Sequence, residues 1–159
     1  MMHTLSALLL VALLSAPAFA QAPPAAAMIP GPSSASAEKM IAAARAKATQ
    51  MGVAVSCVVV DMHGDIVAAL RMDGAAFLTV TVAQGKARTS AFFGQPSGSM
   101  GERGAALQSI GSAAGQTLLT VQGALPIVQN NRRVGAMGCS GATSQQDEDS
   151  ARAGIAAGQ

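Results

Sequence analysis

Val53-Ala54-Val55-Ser56-Cys57-Val58-Val59-Val60, then Asp61-Met62-His63-Gly64-Asp65, then Ile66 to Arg71, is the stretch whose reading decides the fold. The first segment is rich in β-branched residues, whose stiff side chains suit a pleated surface, and it reads as a buried strand. The second segment is turn chemistry, and the third reads as a strand of similar length. Together they predict a β-hairpin with a five-residue connection.

Upstream of the hairpin, Ser36 is placed to cap a helix, with Glu38 in the first turn where the helix dipole favours an anion. Met40, Ala44, Ala48 and Met51 recur at helical spacing, and Gly52 supplies the stop. Downstream, Ala75 to Phe93 carries opposing signals. Thr79-Val80-Thr81-Val82 has strand propensity, but Ala83, Ala87 and Ala91 form a small-residue stripe that lets a helix pack close. Nineteen residues exceed an ordinary strand, so the segment is read as helix. Gly94 to Gly101 reads as a loop and Glu102 to Ile110 as a short helix. Three short strands are expected at Thr117–Val121, Leu125–Val128 and Val134–Ser140, the last two separated by the turn Gln129-Asn130-Asn131-Arg132. Ser144-Gln145-Gln146-Asp147 resembles a capping box that opens a final helix running to about Ala157. This order predicts an α/β (α+β) domain: a five-stranded, mainly antiparallel sheet flanked by helices.

The N-terminal end has a different character. Leu8 to Leu14 contains only Leu, Val and Ala, Ser15 and Pro17 break the run, and Ala18-Phe19-Ala20 suits a signal peptidase pocket. Residues 1–20 are therefore expected to be a cleavable signal peptide, although Met1-Met2-His3-Thr4 has no Lys or Arg. The run falls well short of the roughly 20 apolar residues of a membrane span, so no span is expected in the mature chain. Removing residues 1–20 from the 159 leaves 139, enough for one hydrophobic core. Residues 21–35, with Pro23, Pro24, Pro30 and Pro32, read as a flexible leader, and 36–159 as the domain. The expected location is periplasmic or secreted.

Charged residues make up only 11 % of the chain, and the net charge is +2. Apart from Arg132-Arg133 the ten basic residues are scattered, which argues against nucleic acid as a partner. A surface so poor in charge favours self-association, and a homo-oligomer is expected.

Several blocks, taken in order, carry a resemblance. They are Val58-Val59-Val60-Asp61 with Gly64, Arg71-Met72-Asp73-Gly74-Ala75, and Ala83 with Lys86-Ala87 and Thr89. Gly123-Ala124-Leu125-Pro126-Ile127, Val134 through Gly141, and Gln146-Asp147-Glu148 complete the series. The chain resembles the GlcG/HbpS family, the haem-binding or haem-degrading domain, over roughly residues 36–158. The resemblance implies a profilin-like fold, oligomeric assembly, and non-covalent binding of haem or a related tetrapyrrole in sensing or haem handling. Relatives in glycolate-type pathways imply an alternative, an enzyme or accessory protein acting on a small carboxylated metabolite.

The chemical inventory of the chain itself is thin. It points to a binding module more than to a catalyst. There is no Cys-x-x-Cys-His, which excludes covalent c-type haem, no Walker-type Gly-x-x-x-x-Gly-Lys-Ser/Thr, and no Gly-x-Ser-x-Gly elbow. His63 is the sole histidine after cleavage; it is a candidate axial ligand to haem iron, or else an exposed turn residue. Met72 is a candidate thioether ligand, or else a core-filling Met. Arg71, Asp73 and Lys86 form a second set, in which the cations would meet carboxylates of a ligand. The competing reading pairs Arg71 with Asp73, or Asp73 with Lys86, as structural ions. Cys57 and Cys139 both fall in predicted strands; export permits a disulfide, but two buried thiols are the expectation.

Overall fold

A computed structural model describes residues 31–158. The apolar run Leu8–Leu14, the motif Ala18-Phe19-Ala20 and most of the Pro-rich stretch lie outside the described residues. Four strands and four α-helices follow one another: α1 (Ser34–Gln50), β1 (Ser56–Asp61), β2 (Ile66–Arg71), α2 (Thr79–Phe93), α3 (Gly104–Ala113), β3 (Ala124–Gln129), β4 (Arg132–Ser140) and α4 (Ser144–Ala157). A 3-10 segment, Ser97–Arg103, leads into α3. The sheet is antiparallel throughout, in the order β2-β1-β4-β3.

The deciding stretch behaves as its composition requires. β1 is central, and Ser56 to Val60 are all buried. Cys57 and Val59 face α1 and α4, where they join Met40, Ala44, Ala48, Met137 and Ala151 in the larger core. Val58 and Val60 face α2 and pack with Ala83, Ala87, Ala91 and Ala136. A strand covered on both faces needs apolar residues at successive positions, which is why this run does not alternate. The alanine stripe works through close approach: a Cβ placed on Gly138 of β4 would lie 2.5 Å from the Ala83 carbonyl oxygen. Helix and sheet backbones are nearly in contact there, so only the smallest side chains fit.

The hairpin turn is held by Asp61. Its Oδ1 accepts the backbone N–H groups of His63 at 2.8 Å and Asp65 at 3.0 Å, the self-bonding that makes Asp a turn former. Gly64 adopts a left-handed conformation (φ 80°), and its carbonyl accepts Arg88 Nε–H from α2 at 3.0 Å. At the far hairpin, Asn130 and Asn131 are both left-handed, the two-residue turn that strand twist prefers. Pro126 is accommodated because β3 is an edge strand.

Four expectations are corrected. Among the described residues the sheet has four strands, not five. Thr117–Val121 forms no strand: Leu119 N–H bonds to Thr89 Oγ1 (2.9 Å) and the Gly85 carbonyl (3.2 Å) on α2. Ser33, not Ser36, caps α1: Ser33 Oγ accepts Ser36 N–H, while the Ser36 hydroxyl donates to the Gly158 carbonyl at 2.6 Å. The capping box of α4 begins one residue earlier, with Thr143 and Gln146 exchanging bonds. Finally, Cys57 and Cys139 are joined in a disulfide. They are direct partners across β1 and β4, with Cα atoms 4.1 Å apart, so antiparallel register alone brings the two sulfurs to the same face.

Candidate ligand-binding cleft

The residues singled out in the sequence fall in three places. Arg71, Met72 and Asp73 end β2 and begin the turn beyond it. Arg71 stands opposite Ser56, and Met72 N–H extends the pairing to the Val55 carbonyl at 3.1 Å. Gly74, at φ 85°, turns the chain away toward α2. Arg71 and Asp73 are exposed, while Met72 is half-buried and packs against the larger core. These three side chains, with Leu70 and with Arg45 of α1, line a cavity of about 250 Å³.

A second cavity of about 240 Å³ shares Arg45 and Leu70 with the first. It is lined by Glu38, Ile41, Ala42 and Arg45 from α1, and by Ala68, Ala69 and Leu70 from β2. The four helical residues are spaced i, i+3, i+4 and i+7, so they form one stripe along α1. The neighbouring stripe, Ala37, Met40, Ala44 and Ala48, is fully buried in the core. Among the described residues edge strand β2 has one sheet neighbour, β1, and this groove lies between β2 and the helix.

Lys86 is elsewhere and is committed. It lies on α2 and is 2 % exposed; its Nζ donates to Asp147 Oδ2 at 2.9 Å and to the Cys139 carbonyl at 3.2 Å. Asp147 Oδ1 also accepts Ala142 N–H at 3.0 Å. Gly123 closes the site: a Cβ there would lie 2.7 Å from Lys86 Nζ. Neither of the ion pairs anticipated from the sequence forms, because the partner of Lys86 is Asp147, 61 residues away. No spacing rule reaches across such a separation.

His63 is exposed at the β1–β2 turn. Five residue steps along β1 separate Ser56, beside Arg71, from Asp61 at the turn, so His63 is roughly 17 Å from the cleft by strand rise. The described residues contain no group of three His, Cys, Asp or Glu side chains close enough to hold a metal. None of their helices is long and apolar enough to cross a membrane.

Sequence reasoning missed Arg45. Its signal was present in the spacing Glu38, Ile41, Ala42 and Arg45, next to the core stripe. Recognising it required knowing that an open edge strand would lie beside α1.

What the cleft offers is an apolar floor of Ile41, Ala42, Ala68 and Leu70, a thioether at Met72, and two guanidinium groups. That donor set suits an apolar molecule bearing carboxylates.

Comparison with known proteins agrees with this architecture. A family model described as "Haem degrading protein HbpS-like" matches residues 33–156. An uncharacterized 15.0 kDa protein from the dhaT-dhaS intergenic region of Citrobacter freundii is 33 % identical over 116 residues, covering 71 % of this chain and 82 % of that one. The crystal structure of Klebsiella pneumoniae protein ORFY superposes with a TM-score of 0.75 at 26 % identity, covering 87 % of this chain and 97 % of its own. A PduOC:heme complex superposes with a TM-score of 0.69 at 25 % identity, covering 77 % and 91 %. With the family pattern spanning nearly the whole described domain, the chain belongs to the HbpS-like haem-degrading protein family.

Proposed function

We propose that this domain is an exported module that binds haem or a related tetrapyrrole non-covalently in the groove between α1 and β2. The observation that carries the reading is the likeness to a relative solved as a heme complex, combined with the chemistry of the groove. Its apolar floor suits a porphyrin face. Arg71 suits a propionate. Met72 is the side chain in the cleft able to offer iron a soft ligand. When bound, haem would supply the redox and ligand-sensing chemistry; this chain would supply orientation and partial exclusion of water. Export is supported by the leader-like N-terminus and by the Cys57–Cys139 bond.

Hemin titration of the domain should give a saturable Soret shift. Met72→Ala should alter the bound spectrum, whereas His63→Ala should leave it unchanged, because the exposed turn lies away from the cleft. Absence of any saturable shift would rule the tetrapyrrole reading out. A spectrum changed by His63→Ala but not by Met72→Ala would move the iron to the turn.

Self-association belongs to the same reading. Phe77 is 78 % exposed, and Leu78, Ile66 and Ile110 are also uncovered, more large apolar surface than a chain with so few charges holds comfortably in water. Light scattering should return a multiple of the monomer mass; a monomer at high protein concentration would contradict it.

A further inference from the structure

We infer that Arg45 and Arg71 are the two arms of one carboxylate clamp, set at the junction of the two cavities. The two residues come from different elements, the last turns of α1 and the final position of β2, yet they line the same space of about 250 Å³. Packing of α1 on the sheet therefore places both residues at one cavity. Neither guanidinium is in an ion pair among the described residues, where the salt bridges are Lys86–Asp147 and Glu148–Arg152. Among the described residues Asp73 is the one carboxylate lining that cavity, against two permanent cations, which gives a positive surplus for a ligand. Glu38 lies seven residues from Arg45, about 10 Å along the helix, too far to neutralise it. A guanidinium presents a planar fork of donors that matches a carboxylate bidentately, and two forks on one cavity select an acid over a neutral molecule of equal shape.

The clamp also divides ligands by length. A compact dicarboxylate fills the Arg45–Asp73 cavity alone. A larger molecule with an apolar body extends over Ile41, Ala42 and Ala68 into the adjoining one. The haem propionate and the free small acid share the carboxylate chemistry, and only the larger ligand rests on the tetrapyrrole reading.

The test titrates the folded domain and its Arg45→Ala, Arg71→Ala and Arg45→Lys variants with hemin, hemin dimethyl ester and succinate. Both arginines are exposed, so the variants should keep the parent's circular dichroism and melting temperature. Hemin affinity should fall about five- to tenfold in each alanine variant, less in Arg45→Lys, with no change for the esterified porphyrin. If hemin fails to bind but succinate binds and depends on both arginines, the clamp stands and the tetrapyrrole reading falls. If hemin binds the parent and both alanine variants equally, or binds no better than its ester, the clamp is overturned while the haem reading stands. If neither hemin nor succinate binds, both are overturned.

Discussion

Asp147→Ala should lower the stability of the domain by about 3–5 kcal/mol, the range expected when one partner of a buried ion pair is removed. The cost arises from what remains. Lys86 Nζ would stay beside the sheet, 3.2 Å from the Cys139 carbonyl and sealed by Gly123, with no counter-charge and no path to water. The Ala142 N–H would lose its acceptor at the same time. For a domain of this size the loss corresponds to a fall in Tm on the order of 10–20 °C. Lys86→Met keeps most of the side chain's packing but leaves the Asp147 carboxylate with a single N–H donor, so it too should be destabilising. The double variant Lys86→Met/Asp147→Ala should lose less than the two single losses added together, because the second change removes the charge that the first one stranded. Urea unfolding of the four proteins completes the cycle. Single variants that stay within about 0.5 kcal/mol of the parent, the usual range for surface changes, would mean that water reaches this pair. The result bears on function as well. A Lys86 that holds α2 against β4 and α4 lines neither cavity between α1 and β2, so its substitution would disturb that groove only through loss of the fold.

What could be read in the sequence was what local physics determines. β1 was legible because a strand buried on both faces must be written as consecutive apolar residues, and Cys57 to Val60 is such a run. The hairpin was legible because Asp61 and Gly64 both favour the turn. Thr117–Val121 was misread because β-propensity records a preference for extended backbone and says nothing about the partner; here the partner is a helix, reached through Thr89 and Gly85. Within the cleft, Arg71-Met72-Asp73 stood out as a contiguous block. Arg45 did not, since its place is fixed by how α1 lies across an edge strand. The cysteine bond hinges on register. A one-residue slip of β4 against β1 would put Cys57 and Cys139 on opposite faces, and no sequence pattern specified that alignment.

Loss of the Cys57–Cys139 bond should cost roughly 4 kcal/mol. The cysteines are 82 residues apart, and the chain-entropy relation for closing a loop of that length gives about 4.5 kcal/mol, near the top of the usual range. The bond ties the two central strands beneath α1 and α4, and both residues are nearly inaccessible, 2 % exposed for Cys57 and fully buried for Cys139. A reductant should therefore act on the native domain only through opening of the fold. The compartment decides whether the bond exists at all, because cytosolic thiols are kept reduced and exported ones are oxidised. Two preparations make the comparison. The 159-residue chain, expressed for export and recovered from outside the cytoplasm, should begin at Gln21 and, once denatured, take up no alkylating reagent until a reductant is added. A leaderless chain from Gln21 onward, kept in the cytosol, should take up two equivalents when denatured and unfold at distinctly lower urea. Cys57→Ala/Cys139→Ala, exported in the same way, should match the reduced protein and not the oxidised one. An exported product that still begins at Met1 would refute the signal peptide. One whose thiols alkylate without reduction would refute the disulfide, and with it the covalent tie between β1 and β4.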